Sequence, residues 1–232
     1  MMGNVHSQAL IAALLPACVE AQDAVEDLAV TLLGAEQAAI LRAVPRRRRE
    51  FATVRACART ALGRLGIEPV AILPGESGAP AWPAGIVGSM THCEGYRAAA
   101  VARRADVASI GIDAEPHEPL PDGVLALVSL EPERAQLARL ARERPDVCWD
   151  RLLFSAKESV YKAWFPLTGL WLGFDQAVVT IDPDSGSFRA RLRADACAAS
   201  GGRIGGFAGR WTVRDGLALT AIAHGASAGR PA

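Results

Sequence analysis

The sequence predicts an α+β fold built from two units, each running from helices to strands, that meet near residue 110. Stretches with apolar residues three and four positions apart give way to short, largely apolar runs, first before about residue 110 and again after it. Glycine and proline fall between the segments, as in the 73–85 stretch. Of 232 residues, 50% are hydrophobic, enough for one substantial core or two small ones. The expected division is 1–109 and 110–232 within one compact unit, without an internal sequence repeat.

From the start of the chain, the apolar run Ala9 to Ala17 is too short to span a bilayer and no Lys or Arg precedes it, so it reads as a short helix. Residues 20–43 are expected to be helical, with Val25, Leu28, Leu32 and Leu33 on one side. Pro45 breaks the chain, and a second helix runs from Arg46 to Leu65. Its apolar positions are Phe51, Val54, Ala58, Leu62 and Leu65, with Arg48, Arg55 and Arg59 along the edge of that face.

From Ile86 the texture becomes strand-like, with Tyr96–Val101 and Ala108–Glu115 separated by a charged turn at Arg103–Asp106. Pro116, Pro119 and Pro121 make the next stretch irregular. A helix is expected over 132–144 and a stronger one from Arg151 to Phe165, ended by Pro166. Strands follow at 176–181, 187–193, 209–214 and 217–223, the last two joined by the hairpin signal Asp215-Gly216.

The five cysteines (Cys18, Cys57, Cys93, Cys148 and Cys197) are odd in number and include no C-x-x-C pair, which reads as free thiols in a reducing, cytoplasmic setting without structural zinc. Net charge is zero, unlike a typical nucleic-acid binder, and no membrane span is expected. The local distribution is uneven. Residues 1–40 carry Glu20, Asp23, Glu26, Asp27 and Glu36 and no Lys or Arg, whereas 41–64 carry Arg42, Arg46, Arg47, Arg48, Arg49, Arg55, Arg59 and Arg64 against Glu50 alone. That excess suits a phosphorylated ligand or a helix face paired with the acidic segment before it. Of 25 basic residues, the only lysines are Lys157 and Lys162, both in the predicted 151–165 helix. They mark a place where a compact, flexible point charge is wanted.

Three segments carry the chemistry. In Ile110-Gly111-Ile112-Asp113-Ala114-Glu115-Pro116, the two acids project on one face of a strand, where they repel unless a cation lies between them or water solvates them. A hard cation such as Mg²⁺, which takes a few carboxylates plus phosphate oxygens, resolves the conflict. In Phe154-Ser155-Ala156-Lys157-Glu158-Ser159-Val160-Tyr161-Lys162, Glu158 and Lys162 share a helix face. They read as a third carboxylate beside a cation, or as an ordinary helix ion pair, and Ser155 with Glu158 has capping-box spacing. Gly88 to Tyr96 reads as a glycine-flanked turn offering backbone N–H groups, Thr91 and His92 to a phosphate. These carboxylates alone also fit a metal-dependent phosphohydrolase or nuclease, for which the arginine helix would suit a nucleic acid, and a non-catalytic binding module is the further alternative.

Taken in order, Arg46–Ala61, Val87–Tyr96, Ser109–Pro116 and Phe154–Trp164 resemble the Sfp-type 4′-phosphopantetheinyl transferases (the surfactin and enterobactin synthetase type), in particular their actinobacterial branch. G-I-D-A-E and F-S-A-K-E-S-V-Y-K are the most specific matches. The resemblance implies two similar α+β halves about a pseudo-twofold axis, with coenzyme A in the cleft between them. It implies transfer of phosphopantetheine from coenzyme A to a serine of acyl or peptidyl carrier proteins, with Mg²⁺ or Mn²⁺ as cofactor, by a cytoplasmic monomer.

By position, Asp113, Glu115 and Glu158 match the metal-binding acids, and Glu158 also the general base. Lys162 matches a catalytic lysine near the coenzyme A phosphates, with Lys157 beside it. Thr91 and His92 match the pyrophosphate segment, and Arg47, Arg48 and Arg55 the stretch holding the 3′-phosphate. The chain departs from its relatives at Pro74, Ser77 and Gly78-Ala79-Pro80, where lysines are expected. The arginine-bearing 132–144 helix, with Arg134, Arg139, Arg142 and Arg144, is a candidate surface for an acidic carrier, or an amphipathic helix balanced by Glu133 and Glu143.

Overall fold

The structure is a computed structural model that describes residues 9–193 and 203–225. Cys197 lies outside the described residues. The apolar start forms a single 3₁₀ turn, Leu10–Leu14.

Two antiparallel sheets organise the chain. The first has three strands, β1 (Glu20–Ala24), β2 (Ile86–Cys93) and β3 (Tyr96–Arg103), in the order β1-β3-β2. Its central strand is almost entirely buried, which accounts for a run of alanine and valine without polar alternation. Ala99 and Val101 face one side, where they meet Cys57, Ala58, Ala61 and Leu62 of a helix. Ala98, Ala100 and Ala102 face the other side, where they meet Ile110, Ile112 and Ala114.

Before that helix comes α1 (Gly34–Ile40), and the helix itself is α2 (Pro45–Arg64). Proline stands at its first turn, where the missing N–H costs nothing. The expectation of one helix over 20–43 is therefore corrected. Residues 20–24 leave the helical pattern because each pairs with β3, from Glu20 opposite Val101 to Ala24 opposite Arg97. Val25, Leu28 and Leu33, expected on one side of that helix, are exposed.

The second sheet has five strands: β4 (Val107–Pro116), β5 (Ala177–Asp182), β6 (Ser187–Leu192), β7 (Gly206–Arg214) and β8 (Leu217–Gly225), in the order β4-β8-β7-β6-β5. The β7–β8 hairpin turns at Asp215 and Gly216, with φ of 52° and 75°, the doubly positive geometry such a turn requires. Three helices intervene between β4 and β5: α3 (Val124–Val128), α4 (Glu131–Glu143) and α5 (Trp149–Thr168). Leu152, Leu153, Ala156, Val160 and Trp164 of α5 pack against Phe188, Phe207, Trp211 and Ile222 of the sheet. Pro166 lies inside α5 rather than ending it. The helix continues to Thr168 and stops at Gly169, whose left-handed conformation forms the C-cap.

The sheets meet where β2 runs beside β4. No backbone ladder joins the two strands. Instead, the Ser89 hydroxyl accepts from the Ile112 N–H at 3.1 Å, and the Thr91 hydroxyl from the Ala114 N–H at 3.1 Å. The 88–96 segment is thus strand plus a Glu94-Gly95 hairpin rather than a phosphate-cradling turn.

Candidate functional site

Beside this seam lies a cavity of about 690 Å³ lined by α2, β2, the 74–80 loop and α5. Alternation along β4 decides what faces it. Ile110, Ile112 and Ala114 point into the core, leaving Gly111, Asp113 and Glu115 toward α5. Helical periodicity then divides the F-S-A-K-E-S-V-Y-K segment. Ser155 and Ser159 are buried and bond the Thr220 hydroxyl of β8 at 2.9 and 2.6 Å, so neither caps a helix that begins at Trp149. Glu158, Tyr161 and Lys162 line the cavity.

Glu158 and Lys162 do not pair with each other. Lys162 crosses to β4, donating to Asp113 Oδ1 at 2.7 Å and to the Ile112 carbonyl at 3.1 Å. Thr91 also donates to Asp113 Oδ1, at 3.2 Å. The second oxygen, Asp113 Oδ2, is buried and has no hydrogen-bond partner among the described residues. Burial, and then the Asp113 charge, push the Glu158 carboxyl above the ordinary glutamate range, while Lys162 opposes them. Glu115 is raised by the same two causes in the same order. Its Oε2 accepts from Arg151 at 3.0 Å.

A divalent cation fits this donor set. An orphaned buried carboxylate oxygen and two carboxyls raised by a neighbouring negative charge are what an intervening cation relieves. Among the described residues no three His, Cys, Asp or Glu side chains already stand in ligand geometry. The ion pairs of Lys162 with Asp113 and of Arg151 with Glu115 hold two of the acids away from such an arrangement.

Toward α2 the cavity is cationic. Arg47, Arg55 and His92 all line it. The Arg47 guanidinium contacts His92 Nε2, and Glu50 lies 3.7 Å from Arg47 and 3.5 Å from His92. Burial, and then Arg47, hold the His92 ring down at about 4, so it is neutral near pH 7. Burial lowers Arg55 to about 10 against the pull of Glu36, so it remains charged. Burial pushes the Cys57 and Cys93 thiols up to about 12, so neither is a ready nucleophile near pH 7.

Two residues expected at the ligand are placed elsewhere. Arg48 is exposed outside the cavity lining, donating to the Ala43 and Leu41 carbonyls at 2.8 and 2.5 Å. Lys157 is buried, donating to Glu133 Oε2 at 2.8 Å and to the Phe174 carbonyl at 2.7 Å. It is one residue, and therefore about 100° around the helix, from Glu158. Lys157→Met should lower unfolding stability by about 3 kcal/mol by stranding the buried Glu133 carboxylate. The affinity of the cavity for its ligand, measured calorimetrically, should stay the same; weakened binding would return Lys157 to the site. Arg151, which holds Glu115, lies outside every motif, whereas Ser89 and Tyr161 lie within the motifs without having been given a role. The 132–144 arginines are partly neutralised, Arg139 pairing with Glu143 at 2.8 Å, which favours the amphipathic-helix reading of that segment.

Residues 35–102 match the family described as the 4′-phosphopantetheinyl transferase N-terminal domain, and residues 109–214 that described as the 4′-phosphopantetheinyl transferase superfamily. The chain is 61% identical to 4′-phosphopantetheinyl transferase Svp of Streptomyces mobaraensis over 95% of its own length and 91% of the relative's. It is 50% identical to 4′-phosphopantetheinyl transferase PptT of Mycobacterium tuberculosis, over 92% and 97%. With 4′-phosphopantetheinyl transferase Npt of Nocardia iowensis the identity is 49%, over 93% and 100%.

Proposed function

Because the chain belongs to the 4′-phosphopantetheinyl transferase superfamily, we propose how its cavity moves the phosphopantetheine arm of coenzyme A to a carrier-protein serine. The enzyme is a transferase of the Sfp type, and coenzyme A is its co-substrate. The observation that carries the reading is the meeting of Glu158 and Lys162 with Arg47, Arg55 and His92 around one cavity, Asp113 lying directly behind Lys162.

The serine Oγ attacks the β-phosphorus of coenzyme A as the bond to the bridging oxygen breaks, and 3′,5′-ADP leaves. Charge on phosphoryl oxygens dominates such a step, so positioning and cations supply most of the rate. Arg47 and Arg55 bind the 3′-phosphate, while Lys162 reaches the pyrophosphate. Neutral His92, whose Nε2 faces Arg47, and Thr91 beside it orient the same group. Glu158 takes the serine proton. Asp113 and Glu158, with Glu115 alongside, are the residues that would hold Mg²⁺ or Mn²⁺. A bound divalent ion draws charge from the phosphoryl oxygens.

Residues 1–109 and 110–232 form the two halves in this reading. Its support is that strands up to Arg103 lie in one sheet and strands from Val107 in the other. We read the enzyme as a cytoplasmic monomer acting on acyl or peptidyl carriers, without membrane or nucleic-acid partners. Four free cysteines among the described residues agree with a reducing compartment. No helix among those residues is long and apolar enough to cross a membrane.

The test is the intact mass of an apo carrier protein incubated with enzyme, coenzyme A and Mg²⁺. The carrier should gain one phosphopantetheine, and the gain should vanish with chelator or with Glu158→Ala. Binding of coenzyme A without transfer to any carrier would instead support a binding module.

A further inference from the structure

Outside the cavity, Glu36 of α1 is completely buried, although glutamate rarely is. Both its oxygens accept from Arg59, at 2.8 and 2.9 Å. Oε1 also accepts from the Ile72 N–H at 2.8 Å, and Oε2 from the Leu33 N–H at 3.0 Å. The same Ile72 residue is held from the other side, its carbonyl accepting from Arg55 Nε at 2.8 Å. Arg55 Nε is in turn 3.9 Å from Glu36 Oε1. One carboxylate therefore ties α1, two arginines of α2 and the backbone of Ile72 into a closed ring.

That ring sits at the root of the cavity wall. After Ile72, the Ala81 N–H donates to the Leu73 carbonyl at 2.8 Å, closing the loop whose residues Pro74, Ser77, Gly78, Ala79 and Pro80 line the cavity. None of these is a lysine, so the loop contributes backbone and shape but no positive charge. Arg55 supplies the cation here. Its Nε is held by Ile72 and its Nη1 by the Phe51 carbonyl at 3.4 Å, while among the described residues Nη2 has no such partner. Three charges buried together are a poor route to stability alone, since an apolar cluster of similar volume often does as well. What the ring provides is a fixed direction for one guanidinium.

We propose that Glu36 is a positioning residue for coenzyme A, acting through Arg55 and the Ile72 root of the 73–81 loop. The inference rests on the reading above that Arg55 meets the 3′-phosphate. Loss of the carboxylate charge loosens Ile72 and the loop behind it, so that Arg55 keeps its stack on the Phe51 ring but loses a fixed Ile72 anchor, and binding weakens while the phosphoryl chemistry is spared.

Glu36→Gln keeps the shape and removes the charge. It should raise the KM for coenzyme A on the order of tenfold, leaving kcat and the carrier KM within about twofold. With 3′-dephospho-coenzyme A, the wild type and Glu36→Gln should have the same KM. In an Arg55→Ala background, Glu36→Gln should add less than about twofold, because the two act as a unit. Full additivity, or kcat and both KM values falling out together, would overturn the proposal in favour of a merely structural network. If Glu36→Gln does not fold, Arg59→Gln, which removes the bidentate partner, carries the same comparison. An Arg55→Ala enzyme with unchanged coenzyme A KM also overturns it, whereas the mass gain of the carrier would still stand.

Discussion

Asp113→Ala should lower kcat on the order of a thousandfold while the protein remains folded and binds coenzyme A. The reasoning starts from the two oxygens of the side chain. Oδ1 fixes the Lys162 ammonium at 2.7 Å, and Oδ2 is buried without a partner among the described residues. Removing the carboxylate frees Lys162 and deletes the proposed shared ligand opposite Glu158. The cations Arg47 and Arg55 are untouched, so ground-state binding should change much less than turnover. Asp113→Asn separates the two roles. It can still accept from Lys162 and Thr91 but lacks the charge a divalent ion requires. Activity as low as that of the alanine variant would point to the metal role. If Asn restores most of the rate in a quenched-flow transfer assay, Asp113 matters only for placing Lys162 and the metal assignment is wrong.

The sequence was informative wherever periodicity and burial coincide. Helix α2 and the four closing strands follow from the spacing of their apolar residues, and β3 and β4 from short, largely apolar runs. Residues 20–43 misled because pairing with β3 takes Glu20–Ala24 out of the helical pattern, while Val25, Leu28 and Leu33 lie exposed ahead of α1. In that arrangement Asp23 accepts from the Tyr96 hydroxyl at 2.7 Å and from the Leu10 N–H at 2.6 Å, contacts that span 73 and 13 residues. Local patterning has no access to partners so far along the chain.

The proposed site divides in the same way. Asp113 and Glu115 were placed on one face by strand alternation, and Glu158 and Lys162 on one face by helical spacing; both placements hold. The partners did not follow. Nothing in the spacing says that Lys162 prefers Asp113 to Glu158, that Lys157 turns to Glu133, or that Arg151 holds Glu115. Those choices depend on how α5 lies across β4. Glu36 was visible only as one of five acids in a charge-skewed segment, although it is the most buried of them.

The lie of α5 on β4 depends in turn on a residue with no side chain. A Cβ built on Gly111 would stand 2.0 Å from the Ser159 carbonyl oxygen and 2.8 Å from the Ala163 nitrogen. Both are backbone atoms, so no rotamer change relieves the clash, and α5 must move away from the strand. Ser159 lies next to Glu158, and Ala163 next to Lys162, so the displacement acts directly on the groups placed at the phosphates. Gly111→Ala should cost about 1–3 kcal/mol of stability. At a temperature where the variant is fully folded, kcat should still fall on the order of a hundredfold, because a shift near 1 Å at the reacting groups is enough. Gly63→Ala in α2 is the control, since a Cβ there meets nothing within 4 Å. It should leave turnover unchanged and, in a helix, improve stability slightly. A Gly111→Ala enzyme with wild-type melting and turnover would show that α5 can retreat without disturbing Asp113, Glu158 and Lys162, and that their close approach is not what drives transfer.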